Sequence, residues 1–124
     1  MNSDKKQLFV CADLNDLMAD NKSLPLRNPI WINALRSEYR QISDGLKIWL
    51  FAMTYKDGKL DPTIFPGVIK DIGKSDEDEY KISIDENDMA YLSQSKEFKG
   101  YTIKDVIGEE WYLSYQKDNP EMLP

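Results

Sequence analysis

The fold is decided by the stretch from Leu46 to Ile72, which reads LKIWLFAMTYKDGKLDPTIFPGVIKDI. Its first part, Leu46 to Lys56, is rich in aromatic and aliphatic side chains, a composition that favours a β-strand. Asp57 and Gly58 then form a favoured hairpin turn, because glycine adopts a positive φ without steric cost. The stretch therefore predicts a strand that turns back on itself.

The returning segment contains two prolines, Pro62 and Pro66. Proline has no backbone N–H to donate, so any strand pairing here should lie at a sheet edge or be interrupted. Val68 to Ile72 is the part best suited to a strand, and Tyr80 to Ile84 predicts another one.

The clearest helix signal precedes this stretch. Asn28 can cap the free amides of a helix, and Pro29 suits its first position. Apolar residues then recur on one face at spacings of four, four and three, at Trp31, Leu35, Tyr39 and Ile42. We expect a helix over about 29–42. Residues 7–12 predict a short buried strand, although a single helix that continues to Met18 fits the same sequence.

Two further helix starts follow the last predicted strand. Asp85 is placed to cap a short helix through about Ser93. Thr102 and Asp105 have the spacing of a capping box that opens a helix over 103–107, which Gly108 should end. Residues 110–116 alternate apolar and polar side chains and predict a final strand, although a helix continued from 103 is the alternative.

These elements predict an α+β fold: a mostly antiparallel sheet with a few short helices packed on one face. The 124 residues fit one domain over 1–124, with a loose C-terminal tail from about residue 118. No signal-peptide pattern is present, and the longest apolar run, Ile48 to Met53, is far below the roughly 20 residues that a membrane helix needs. We expect a soluble, cytoplasmic, monomeric protein with no membrane contact.

Catalytic chemistry finds little support in the composition. The chain has no histidine, which removes the commonest general base and the usual partner of a serine or cysteine nucleophile. The one cysteine, Cys11, has no second cysteine for a disulfide or zinc motif and should be a buried core thiol. Asp85 and Asn87 begin like a calcium loop, but Met89 and Ala90 stand where such a loop needs an oxygen ligand and a glycine. The sequence predicts no enzyme, no catalytic residue, no metal and no cofactor.

The distribution of charge is the informative feature. Residues 71–88 hold eight acids against two lysines, and this excess equals the net charge of −6 of the whole chain. Seven of the eight acids form two clusters, Asp76, Glu77, Asp78 and Glu79, then Asp85, Glu86 and Asp88; the eighth is Asp71. Two more acids, Glu109 and Glu110, could extend their surface. One interpretation is a solvated loop and a helix cap; the other is a negative surface for a basic protein partner, whose association long-range attraction would speed.

A small acidic domain with these two clusters resembles the bacterial and phage DNA-mimic proteins, most closely the Neisseria kind that binds the histone-like protein HU. The resemblance implies competitive occupation of the DNA-binding surface of a nucleoid protein, with no chemistry and no direct binding of nucleic acid. The alternative function is an immunity or anti-defence inhibitor that plugs a basic toxin or nuclease site. Such an inhibitor needs an aromatic anchor as well as charge, for which the nearby candidates are Tyr80, Tyr91, Phe98 and Tyr101.

Overall fold

The computed structural model describes residues 6–16, 22–70 and 79–124. Within these ranges the strands are β1 (Phe9–Cys11), β2 (Ser23–Leu26), β3 (Lys47–Ala52), β4 (Tyr55–Lys56), β5 (Lys59–Leu60), β6 (Thr63–Lys70), β7 (Tyr80–Ile84) and β8 (Ala90–Tyr91). The α-helices are α1 (Pro29–Glu38), α2 (Ile103–Ile107) and α3 (Glu109–Asp118). Short 3-10 helices lie at Leu14–Asp16, Glu86–Asp88, Leu92–Gln94 and Pro120–Met122.

The main sheet has the strand order β1-β3-β6-β7-β2, and β8 pairs with the first part of β6. Only the β1–β3 pair is parallel among the described strands, which confirms the predicted α+β fold with a mostly antiparallel sheet. The hairpin turn is also confirmed, with positive φ angles of 54° at Asp57 and 78° at Gly58. Its two strands, β4 and β5, form a small separate ladder. No described helix is long and apolar enough to cross a membrane.

Strand β6 lies inside the sheet and contains 68–70 of the predicted strand Val68 to Ile72, but it starts at Thr63, so the predicted start at Val68 was wrong. Asp71 and Ile72 lie outside the described residues. The predicted interruption is nevertheless present. On one side β6 pairs with β3 along Thr63–Val68, but on the other side β8 and β7 leave Phe65 and Pro66 without a described strand partner. The amide of Ile69 donates to Leu46 on the β3 side. Because amide direction alternates along a strand, the ring nitrogen of Pro66 points into the gap, where no donor is needed.

The edge strand β2 contains Pro25, and the sequence analysis did not predict this strand. Ile84 donates its amide to the carbonyl of Lys22, so the alternate residues Leu24 and Leu26 direct their backbone groups toward β7. The nitrogen of Pro25 therefore faces away from the sheet. Proline is tolerated at an edge for this reason.

Helix α1 begins as predicted, because the side chain of Asn28 accepts a hydrogen bond of 2.9 Å from the amide of Ile30. It ends at Glu38 and not near residue 42. Tyr39 is already extended, with φ −114° and ψ 130°, and Tyr39 and Ile42 reach the core from the following loop. The apolar spacing that predicted the helix therefore extends beyond its last residue, Glu38.

Two predictions in the second half need correction. The helix capped by Asp85 stops at Asp88, because Met89 is extended and the next two residues pair with β6 as β8. Residues 110–116, predicted as a strand, belong to helix α3. Thr102 and Asp105 do form the capping box of α2, and Gly108 ends α2 with a φ of 95° before the chain enters α3. Two helices therefore replace both the predicted strand and the single-helix alternative.

Candidate functional site: two acidic surfaces

The first acidic surface is the turn Asp85–Asp88 that follows β7, which we call the 85–88 turn. Asp85 caps it by accepting a hydrogen bond of 2.9 Å from the amide of Asn87. All four residues are exposed, so Glu86 and Asp88 direct their charge to solvent. The predicted capping role of Asp85 is confirmed, and it leaves the other two carboxylates without a structural function that the described contacts reveal.

Lysines lie close to this turn. It borders a groove of about 720 Å³ on the sheet, and Lys22 and Lys47 line the same groove. Lys70 and Lys81 are direct cross-strand partners, and strand alternation places them on the sheet face that carries Lys47. The 85–88 turn is therefore an acidic rim beside a basic sheet face, and not part of a uniformly negative surface.

The cluster at 76–79 is described only at its last residue. Asp76, Glu77 and Asp78 lie outside the described residues. Glu79 forms an ion pair with Arg27, whose Nε lies 3.3 Å from its carboxylate. Arg27 follows the edge strand β2, so this pair ties the start of β7 to the sheet edge.

The second acidic surface is the first turn of α3. Glu109 and Glu110 are both exposed and stand at the positive end of the helix dipole, which stabilises carboxylates. Glu109 also lies 3.7 Å from the ammonium of Lys104 in α2. Among the described residues that line the groove beside the 85–88 turn, none comes from α3. The structure thus places the predicted acids at separate elements.

Helix α3 has two contrasting sides. On its inner side the ring of Trp111 packs edge-on against Trp31, with centroids 5.1 Å apart, and the hydroxyl of Tyr115 donates to that of Tyr55 at 3.0 Å. Burial of Tyr115 and this hydrogen bond raise its pKa to about 12. On the outer side Leu113 is 52% exposed.

Leu113 stands four residues after Glu109 and three after Glu110, spacings that put all three side chains on one helix face. We call Glu109, Glu110 and Leu113 the α3 outer face. It combines two carboxylates with an apolar side chain in solvent. The sequence analysis predicted a strand here and therefore did not identify this face, because all three side chains lie on one face only in a helix.

The aromatic residues that the sequence suggested as anchors serve mostly in packing. Tyr80 and Phe98 are buried in the core, and Tyr91 and Tyr101 are half-buried. The ring of Phe98 contacts Phe9 and Tyr101 at centroid distances of 4.9 and 5.1 Å. Phe98 and Tyr101 thus pack against β1, while Tyr80 and Tyr91 belong to β7 and β8.

The thiol of Cys11 and the potential metal ligands are the remaining candidate groups in the described part of the chain. Cys11, predicted as a buried core thiol, is only half-buried and packs against the core. This burial, together with the nearby charge of Asp13, raises the pKa of the Cys11 thiol to about 11, so it stays protonated at neutral pH. No group of three or more metal-binding side chains occurs among the described residues.

Comparison with known proteins adds no relative. No protein-family model matches the chain, and no curated protein or solved structure matches it either. The functional proposal therefore rests on the charges and exposed side chains of this chain alone.

Proposed function

We propose that this chain is an acidic binding protein that occupies the basic surface of a protein partner, without chemistry and without a cofactor. The observation that supports this most directly is the α3 outer face, where Leu113 is 52% exposed about one helical turn after the exposed Glu109 and Glu110. Attraction from the carboxylates would guide a basic partner, and burial of the leucine would hold it.

This combination favours the inhibitor form of the function: an immunity or anti-defence protein that plugs a basic toxin or nuclease site. Such proteins need one apolar anchor that becomes desolvated, because exposed charge alone contributes little affinity in salt. Leu113 supplies the anchor, in place of the aromatic residues that the sequence suggested. The protein would act as a cytoplasmic monomer.

The second candidate is a DNA mimic that blocks a nucleoid protein such as HU. It is favoured by the concentration of eight acids within residues 71–88 and by the exposure of the 85–88 turn. The lysines of the neighbouring sheet face, among them Lys47, weigh against a long imitation of the DNA backbone in this region. Direct binding of nucleic acid is disfavoured by the same net charge of −6.

Capture from a bacterial lysate at low and moderate salt, followed by competition with duplex DNA, separates the two candidates. A toxin or nuclease that stays bound in the presence of DNA supports the inhibitor form. A nucleoid protein that DNA displaces supports the mimic. Recovery of no basic protein at either salt concentration would contradict the proposal as a whole.

The mimic also makes a prediction about the first acidic cluster. Replacing Asp76, Glu77, Asp78 and Glu79 together by Asn and Gln removes four charges without changing side-chain size. If the mimic is correct, nucleoid-protein binding should weaken and its salt dependence should flatten, as measured by titration at several salt concentrations. Unchanged binding would exclude this cluster as the contact surface.

A further inference from the structure

An apolar pocket lies on a part of the molecule that neither acidic surface uses. It is open to solvent on one side, has a volume of about 720 Å³ and is bordered by the β4–β5 hairpin, the 3-10 helix Leu92–Gln94, the start of α2 and Tyr112 of α3. Its walls are mostly apolar and aromatic, formed by Leu60, Leu92, Ile103, Tyr101 and Tyr112. This volume and lining are typical of sites for small organic ligands.

Hydrogen bonds fix two walls of this pocket, the β4–β5 hairpin and the 3-10 helix, to each other. The buried Asp61 accepts one from the amide of Ser93 at 3.1 Å and a second, short one from its hydroxyl. The amide of Leu92 donates to the carbonyl of Pro62 at 2.8 Å, and the hydroxyl of Thr54 donates to the carbonyl of Asp61 at 2.6 Å. The hairpin and the 3-10 helix are thus fixed to each other before any ligand arrives.

The charge around the pocket is opposite to that of the chain. Lys56, Lys59 and Lys104 line it, against the carboxylates of Asp57 and Asp61. Three lysines against two carboxylates leave an excess of one positive charge along the lining, in a protein whose net charge is −6. The Asp61 carboxylate is directed to Ser93, and Lys104 also lies 3.7 Å from Glu109. The ammonium of Lys56 stands 5.7 Å from the centre of the Tyr91 ring, which orients this lysine at the rim.

We infer that this pocket, the lysine-rimmed pocket, binds a small amphipathic anion. The aromatic or aliphatic body of the ligand fits between Leu92, Ile103 and Tyr112, and its single negative group meets the lysines. This function goes beyond the binding of a protein partner and does not depend on it. The apolar walls supply most of the affinity, and the lysines select the charge.

Two fluorescent probes of similar shape test this inference. 8-Anilinonaphthalene-1-sulfonate carries one negative group, and N-phenyl-1-naphthylamine has the same ring system without it. We expect saturable one-to-one binding of the sulfonate, weaker binding of the uncharged probe, and loss of the difference at high salt. Amide shifts in NMR spectra should change at Ser93, Ile103 and Tyr112.

Lysine variants identify the source of the selectivity. In the double variant Lys56→Gln, Lys59→Gln, which leaves Lys104 and its neighbour Glu109 unchanged, the dissociation constant of the sulfonate should rise about three- to tenfold, while that of the uncharged probe stays constant. The matched control, Lys99→Gln with Lys117→Gln, removes two exposed lysines that do not line the pocket and should leave both constants unchanged.

Three results would overturn the inference: no saturable binding of the sulfonate, equal affinity for both probes in every variant, or amide shifts confined to residues away from the pocket. None of these outcomes bears on the α3 outer face, so failure here and failure of the proposed protein-binding function are distinguishable.

Discussion

At Gly67 side chains from the strands on either side of β6 lie so close over the backbone that a Cβ atom has no room. A Cβ atom there would lie 2.5 Å from a methyl carbon of Ile82 and 2.7 Å from one of Leu50. Real Cβ atoms essentially never show such distances. The absent side chain lets β3 and β7 bring their core residues together across β6, which suits the curled shape of the sheet.

We predict that Gly67→Ala destabilises the protein by about 1–3 kcal/mol, the usual cost of overpacking a core. Urea unfolding followed by tryptophan fluorescence measures this change. Because the nearest clash is with Ile82, the double variant with Ile82→Ala should lose less stability than the two single variants combined. Additive losses would show that the two positions do not compete for the same space.

The thiol of Cys11 leads to a prediction about pH. Its pKa is about 11 in the folded protein against an ordinary value of 9.0, chiefly because partial burial removes water from around the thiol. The folded state therefore holds this proton more tightly than the unfolded state. The resulting contribution to stability is complete below about pH 9 and is lost as the pH rises from about 9 to about 11.

The rate at which Cys11 reacts with an aromatic disulfide reagent should accordingly rise with pH and have its midpoint near 11 in the folded protein. Protein unfolded in urea is the control, and its midpoint should lie near the ordinary value of 9.0. A folded-state midpoint at or below 9 would show that the thiol is more exposed than the structure indicates.

Among the elements, the helix starts that a side chain caps could be predicted because they depend on neighbouring residues alone, whereas the start of α3 after Gly108, which has no side-chain cap, could not. Asn28, Asp85 and Thr102 each accept the expected backbone hydrogen bond. Helix ends and strand partners depend on the rest of the fold. The edge strand β2 could not be found, because the tolerance of Pro25 requires knowing that its nitrogen faces away from β7.

The same limit applied to the candidate site. In a strand over 110–116, Trp111 and Leu113 would share one face; in a helix they are separated by about 200°, twice the rotation per residue. Trp111 therefore packs inward against Trp31, while Leu113 remains in solvent. The acids Glu109 and Glu110 could be named from the sequence, but their apolar neighbour could not.

The capping box of α2 provides a test at the level of the element. Thr102→Ala removes the hydroxyl that accepts the Asp105 amide at 3.1 Å and should cost about 1 kcal/mol of stability. Chemical denaturation measures the loss. Thr102→Ser keeps the hydroxyl and should retain most of the stability; an equal loss in both variants would contradict a capping role.

Over the whole molecule, the count of charged residues along the sequence identified an acidic segment. It could not show which basic residues lie on the same face of the sheet. Pairing of β6 with β3 and β7 places Lys47, Lys70 and Lys81 on one sheet face, and Lys47 lines the groove beside the 85–88 turn. The α3 outer face does not border this basic sheet face, although Lys104 lies 3.7 Å from one of its two carboxylates. For this reason the α3 outer face, and not the 85–88 turn, is the described surface that best fits a basic protein partner.

The central claim is therefore that a basic protein binds at α3, and the affinity of the captured partner for three forms of the chain tests it most directly. The forms are the wild type, the variant Glu109→Gln, Glu110→Gln, and the variant Glu86→Gln, Asp88→Asn. Both variants remove two exposed carboxylates, so they change the net charge equally. Adding Leu113→Ser to the first variant tests the apolar anchor.

We predict that the α3 variant raises the dissociation constant about tenfold and flattens its salt dependence, that Leu113→Ser weakens binding further, and that the 86/88 variant stays within about twofold of the wild type. Calorimetric titration at two salt concentrations gives these values, and unchanged far-ultraviolet circular dichroism confirms that each variant is folded. Binding that the α3 variant retains and the 86/88 variant loses would contradict the claim.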